Sequence, residues 1–455
     1  MQWDRLLCPD RFGSEEEEKA AGRKELRDES RRRSDFERDY DRLIFSAPFR
    51  RLQNKAQIFP LPDKIFVHNR LTHSLEVSCV GRSLGNYVAE GLAAKYHTGY
   101  EQWRHVAAIV SAACLAHDMG NPPFGHSGER AIRAHFTEGE GVRWKQEVER
   151  EEMPWEDFAY YEGNANALRL LTHRFKGRKP GGFGLTYTTL ATMVKYPWES
   201  AAVRSGGKAK FGFFASEKES FRRIAERLGL IRLSDAPLRY ARHPLVYLVE
   251  AADDICYQIM DLEDAYKLGI LSLEEVEELM LGFLEEDPNR PRFRHVLQEI
   301  EDRNERVAYL RSKAINALTE ACAAAFTRHE EELLSGLPLP PLVRLTPTPL
   351  NEAYRAAAQV AGNRIYTARE VVNVELAGHR IFGELIERLM HSLAHPQNAY
   401  SQTLLSLVSS QYHTDVPGTY LKIMTTMDYI SGMTDVYALD LYRRITGMSL
   451  PGLSL

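Results

Sequence analysis

The residues best placed to do chemistry begin with the dipeptide His117-Asp118, which closes the apolar run HVAAIVSAACLAHD. A buried aspartate is costly unless it is paired or metal-bound, and an imidazole beside it at a helix end lets both reach one cation. For that dipeptide taken alone, a capping pair is the plainer reading. His73 opens an earlier apolar stripe and so points inward, where a hydrogen-bonded core histidine is the plainer reading. The third feature is EAADDICYQIMD, in which Asp253, Tyr257 and Asp261 recur every fourth residue. On a helix successive members rotate by about 40°, so all three share an arc of about 80° on an otherwise apolar segment. That line is either exposed or faces a polar counterpart. Together His73, His117, Asp118 and Asp253 offer two nitrogen and two oxygen donors, a set that suits Mn2+, Fe2+ or Mg2+ better than a soft-ligand metal. Asp254 competes for the last place but sits about 100° round the helix from Asp253, away from Tyr257 and Asp261.

The elements that must carry these residues are helices. In THSLEVSCVGRSLGNYV, His73, Val77, Val80, Leu84 and Tyr87/Val88 fall on one face. HVAAIVSAACLAHD is apolar nearly all round and therefore central, and GNPP ends it because proline brings no amide hydrogen. PLVYLVEAADDICYQIMDLEDAYKL is helical again, and SLEEVEEL opens a further helix through a capping box from Ser272 to Glu275. Residues 177–214 are the least helical: Gly177, Gly181, Gly182 and Gly184 precede the β-branched run LTYTTLATMV, which predicts loops and a small β-hairpin. The organisation expected is a charged arm or helix over 1–39, a core over 40–335, a proline-rich linker over 336–350 and a helical region over 351–455 that completes the core. The fold class is mainly α.

Composition bounds the function. The 455 residues are 44% apolar and 27% charged, as in a folded chain, and 58 Lys+Arg against 63 Asp+Glu exclude a globally basic nucleic-acid coat. The longest apolar run, Val106 to Ala116, falls far short of the about 20 residues a membrane-spanning helix needs. The N-terminus has no signal-peptide pattern. Cys8, Cys79, Cys114, Cys256 and Cys322 are odd in number and form no CxxC pair, so they are expected as buried small hydrophobes in a reducing, cytoplasmic setting.

Four blocks in order, HNRLTHSLEV, AHDMGNPPFGHSGE, EAADDICY with a downstream DLEDA, and DYISGMTD, resemble the dGTP triphosphohydrolase family of the HD-domain superfamily, over roughly Arg31 to Tyr442. The resemblance implies a multi-helix HD-domain phosphohydrolase fold. It also implies cleavage of a deoxynucleoside triphosphate between the 5′ oxygen and the α-phosphorus, releasing deoxynucleoside and inorganic triphosphate. A divalent ion on His73, His117, Asp118 and Asp253, Mn2+ or Mg2+ foremost and Fe2+, Co2+ or Ni2+ as further fits, would polarise the α-phosphate and a water. His126 and Glu129 resemble the family's catalytic pair, an imidazole base with its orienting carboxylate, although a helix-start residue also explains His126 alone.

Further roles follow from the same resemblance. Arg70 looks like the phosphate-binding arginine, with Asn121, Asn164, Lys195, Tyr196, Lys208 and Lys210 as additional phosphate candidates. Tyr257, Asp261 and Gln57, with its neighbour Ile58, are the sugar candidates. An aromatic wall there would strip water from a 2′-hydroxyl without replacing its hydrogen bond. Glu375 is the candidate acid for the base pocket, and Lys422 stands where dGTP-selective relatives carry arginine. Lys422 lacks the planar fork, so a broad-specificity dNTPase stays open beside a dGTP-preferring one. Assembly as a homo-oligomer, commonly a hexamer, and a response to nucleotide or single-stranded DNA are also implied. Two other functions remain: an HD-type phosphatase or phosphodiesterase, told apart by its phosphate product, and a nucleotide-responsive regulator without turnover, which has no need of His126 and Glu129.

Overall fold

The computed structural model describes residues 1–14, 33–59, 67–203 and 210–449. The helices that frame the site are, in chain order, α1 (Asp35–Ile44), α2 (Arg70–Tyr96), α3 (His105–Ala116), α4 (Gly125–Thr137), α5 (Gly163–Thr172), α6 (Tyr187–Met193), α7 (Val246–Lys267), α8 (Arg303–Arg328), α9 (Arg369–Ala394), α10 (Thr419–Ser431) and α11 (Asp435–Ile445). The only sheet among the described residues is an antiparallel pair, β1 (Arg232–Asp235) and β2 (Leu238–Tyr240). Among the described residues no helix is long and apolar enough to cross a membrane. The mainly α architecture is as the apolar periodicity predicts.

Two apolar clusters organise these helices. In the first, Val77, Val80, Leu84 and Val88 of α2 pack with Ile109 and Val110 of α3, Leu248, Ile255 and Ile259 of α7, and Leu310 and Leu318 of α8. Each such side chain contributes about 1.5–3 kcal/mol on burial. Gly85 lets α2 and α3 approach closely: a Cβ there would lie 2.5 Å from the Ala107 Cα. The second cluster joins Ile132 and Phe136 of α4 to Phe382, Leu385 and Leu389 of α9, Ile423 and Met427 of α10, and Leu441 of α11. The C-terminal helices are thus built onto the helix that carries His126.

Several expectations need correction. The run LTYTTLATMV forms α6 rather than a strand, because Thr186 caps it by accepting from the Thr189 amide and every α6 side chain is buried. Tertiary packing outweighs the weak β preference of its threonines. The hairpin lies instead at β1–β2, outside 177–214. On α2, Val88 is buried as expected but Tyr87 is 40% exposed. Cys114, Cys256 and Cys322 are buried, whereas Cys79 is exposed; all five thiols are free. The proline-rich segment carries Leu342 and Val343 into the core, and residues 1–14 dock through Trp3 and Leu6, with the Trp3 indole donating to Glu330 at 2.5 Å. The capping box at Ser272–Glu275 forms as predicted.

Candidate metal centre and catalytic pair

Asn69 starts α2 with a capping box to Thr72, which sets Arg70 in the first turn and His73 one turn in, facing α3 and α7. Helix α3 ends at Ala116, and the chain turns through Asp118 and Asn121 into Pro122-Pro123, which cannot continue a helix. His117 and Asp118 are therefore presented at a buried helix end. Asp253 comes from α7. One ligand atom from each of His73, His117 and Asp118 lies within 4.8 Å of the other two. Asp253 is not in that tightest set, but its Oδ1 lies 3.3 Å from His73 Nε2 and 3.5 Å from His117 Nε2. The direct contacts to both imidazoles place Asp253 in the cluster.

The donor chemistry fits a divalent cation. His117 Nδ1 lies 2.6 Å from the Cys114 carbonyl, which can only accept, so the proton sits on Nδ1. Its Nε2 is buried, has no hydrogen-bond partner and faces the two carboxylates. A buried polar atom without a partner is costly, and a cation among these four groups would satisfy it. Without an ion, burial pulls the His117 imidazole down, yet Asp118 and Asp253 outweigh it and hold the ring at about 9, so a cation at this centre displaces a proton from Nε2. Burial likewise opposes ionisation of Asp118, but Arg70 and the two imidazoles hold its carboxyl well below the usual range. For Asp253 the same opposition is overcome chiefly by Lys195, whose Nζ stands 3.3 Å from Oδ2. For Asp254 burial prevails over the charge of Lys195, and Asp253 and Glu250 add to it, pushing its carboxyl up to about 7.

The second constellation is contiguous with the first. Arg70 donates to Asp118 Oδ2 at 2.6 Å, and Asn121 donates to Asp118 Oδ1 at 2.5 Å. His126 lies in the first turn of α4, with Nδ1 3.0 Å from Glu129 Oε2, while Glu129 Oε1 accepts from the Gly163 amide at 2.8 Å. A Cβ on Gly163 would fall 2.1 Å from Asn121 Oδ1 and 2.7 Å from Glu129 Oε1, so only glycine joins the two constellations without displacement. Gly163→Ala is expected to cost about 1–3 kcal/mol by overpacking and to lower turnover by displacing Glu129. Thermal unfolding beside a kinetic assay checks both, and an unshifted midpoint with unchanged turnover would contradict this packing.

The other candidate residues distribute as follows. Lys195 meets Asp253, as above, and the Tyr196 ring packs against Trp198. Lys210 and Asn164 converge on Glu162 Oε1 at 2.9 and 2.6 Å, and Arg133 reaches Glu162 Oε2 at 3.2 Å. Lys208 lies outside the described residues. Gln57 has a buried, unpartnered Oε1, and Ile58 packs on the first core. Tyr257 and Asp261 lie one turn apart on α7. Glu375 does not join the cluster: on α9 it is paired with Arg130 at 2.6 Å. Lys422, half-buried on α10, has none of the described carboxylates within ion-pairing distance. Three contributors escape sequence reasoning. Tyr366 donates to Asp261 Oδ2 at 2.8 Å and packs against the Tyr257 ring, with centroids 5.8 Å apart. Glu162, fully buried, and Gly163 stand in the EGNAN block, where only Asn164 attracts notice from sequence.

Comparison with known proteins agrees with the geometry. The HD domain model matches residues 70–176, and the phosphohydrolase-associated domain model matches residues 346–444. A deoxyguanosinetriphosphate triphosphohydrolase-like protein of Synechocystis sp. is 37% identical over 459 residues, covering 99% of this chain and 100% of the relative. One of Pseudomonas aeruginosa is 38% identical over 461 residues with the same coverage. The deoxyguanosinetriphosphate triphosphohydrolase of Yersinia enterocolitica is 30% identical over 499 residues, covering 90% of this chain and 93% of the relative.

Proposed function

The chain belongs to the deoxyguanosinetriphosphate triphosphohydrolase family, and from that premise we propose that it is a metal-dependent dNTP triphosphohydrolase that prefers dGTP and releases deoxyguanosine and inorganic triphosphate. The observation that carries this reading is the buried, unpartnered His117 Nε2 among His73, Asp118 and Asp253, joined through Asn121 and Gly163 to the His126–Glu129 pair. His73, His117, Asp118 and Asp253 would hold a divalent ion, which would supply Lewis-acid activation at the phosphate and at water.

The remaining steps fall to the chain's own side chains. His126 presents its free Nε2, because Nδ1 is turned toward Glu129, and there it takes the proton of the water that attacks the α-phosphorus. The bond from phosphorus to the 5′ oxygen breaks, and that proton passes to the leaving 5′ oxygen. Burial opposes ionisation of Glu129, but His126, Lys210 and Arg133 bring it down to about 2, so it stays anionic beside the imidazole and stabilises the imidazolium as it forms. Arg70, Lys195 and Lys210 counter the triphosphate charge. Lys195 and Lys210 are held protonated against burial, the first chiefly by Asp253 and the second chiefly by Glu129 and Glu162. Tyr257, with Tyr366 fixing Asp261, supports a deoxyribose site.

The test is the product. Incubation with each dNTP in turn and Mn2+ or Mg2+, followed by phosphorus NMR, is expected to yield inorganic triphosphate, fastest from dGTP. Orthophosphate or a nucleoside monophosphate would overturn the reading, and equal kcat/KM across the four dNTPs would replace the preference with broad specificity.

A further inference from the structure

The block DYISGMTD ends in Asp435, which takes no part in the chemistry above. It is the first residue of α11, but Thr434 caps that helix, accepting from the Tyr437 amide. The Asp435 carboxylate reaches elsewhere: Oδ1 accepts from the Phe124 amide and Oδ2 from the Ala56 amide, each at 2.8 Å. Lys55 runs alongside in the opposite sense. Its side chain is buried, and Nζ donates to the Asn121 carbonyl at 2.6 Å and the Ser431 carbonyl at 2.7 Å. Four hydrogen bonds thus tie together three stretches distant in sequence: residues 55–56 before α2, the loop between α3 and α4, and the junction of α10 with α11. A charged group bonded to a backbone amide or carbonyl makes a strong, directional tie, and both ties here are wholly or partly shielded from water.

The loop they hold has reason to need holding. Phe124 sits at φ 61°, a left-handed conformation unfavourable for a bulky side chain, and Gly125 follows at φ 55°. Such a turn persists only where its surroundings over-determine it. It also sets the direction in which α4 departs, and His126 is the second residue of α4. Asn121, which supports Asp118, lies at the other end of the same loop. We propose that Asp435, with Lys55, is a positioning residue. Supplied by the C-terminal region, it locks the Phe124–Gly125 turn and so aims His126 at the reacting phosphate, making the order of the C-terminal helices a condition of turnover. This inference rests on His126 being the catalytic base.

The test uses the full chain with dGTP and Mn2+ and compares wild type with Asp435→Ala, Asp435→Asn and Lys55→Met. A displacement near 1 Å is enough to cost roughly 100-fold in rate. Asp435→Ala is therefore expected to lose about that much kcat, with KM and Mn2+ affinity within about threefold of wild type because the metal donors lie outside the turn. Asp435→Asn, which keeps one acceptor, is expected to recover about tenfold of that loss. Hydrogen exchange of the amides over residues 119–128 should quicken in Asp435→Ala and Lys55→Met while α3 stays protected. Unchanged exchange over 119–128, or a kcat loss matched by an equal loss of Mn2+ affinity, would overturn the proposal. If the wild-type chain turned over no dNTP, the functional reading would fall, and the exchange comparison would still decide whether Asp435 holds the turn.

Discussion

Asp253→Ala is expected to abolish Mn2+ binding at the centre and to lower turnover by on the order of 10³-fold or more, the rate equivalent of the several kcal/mol that metal assistance supplies. The expectation follows from position. Asp253 Oδ1 is the oxygen that touches both imidazoles, and Oδ2 faces the ammonium of Lys195. Removing the carboxylate takes away one donor and leaves a buried cation unpaired beside the others, so the remaining three groups face an excess of positive charge. The helix itself should survive, because the change falls inside the long apolar α7 and alanine is a strong helix former. Circular dichroism checks the fold, calorimetry the Mn2+ affinity, and the inorganic triphosphate assay the turnover. Asp254→Ala is the control, since the Asp254 carboxyl touches neither imidazole. Loss of metal in Asp254→Ala with full activity retained in Asp253→Ala, after stripping and Mn2+ readdition, would show that the wrong carboxylate has been placed at the centre.

How far the sequence reveals this arrangement depends on whether the signal is local. The α2 and α3 stripes are legible because burial on a helix repeats every three or four residues, and the buried Val77, Val80, Leu84 and Val88 obey that period. Asp253, Tyr257 and Asp261 are legible for a related reason: acids on an apolar helix need a counterpart, which proves to be His73, His117 and Lys195 for the first and Tyr366 for the last. Tyr366 itself gives no cue, because its contact with Asp261 spans 105 residues and neither end advertises it. The Asp435 and Lys55 contacts are hidden for the same cause. Each satisfies backbone groups, and a backbone amide or carbonyl looks alike at every position. The β-branched stretch that became α6 misleads in the opposite direction, its local preference overridden by a cap at Thr186 and full enclosure. Local pattern therefore finds the elements and the donors. It does not find the groups that hold those donors at their angles.

His126→Ala should separate chemistry from binding. The imidazole is 56% exposed while its partner Glu129 is 3% exposed, so one member of the pair is open to reacting molecules and the other is built into the core. With Nδ1 committed to Glu129, Nε2 of this largely exposed ring is the nitrogen left to act as a general base. None of the groups that surround the metal site depends on His126: Asp118 is supported by Arg70 and Asn121, and Asp253 by Lys195. His126→Ala is therefore expected to lose roughly 10²–10⁴-fold in kcat with KM for dGTP and Mn2+ affinity little changed. Glu129→Gln should fall between wild type and His126→Ala, because an amide still accepts from the ring but no longer stabilises an imidazolium. Steady-state kinetics with Mn2+ calorimetry on the same samples decides the matter. A rise in KM at unchanged kcat would make His126 a phosphate-binding side chain, and equal losses in both would mean that the Gly125–Thr137 helix had moved as a whole.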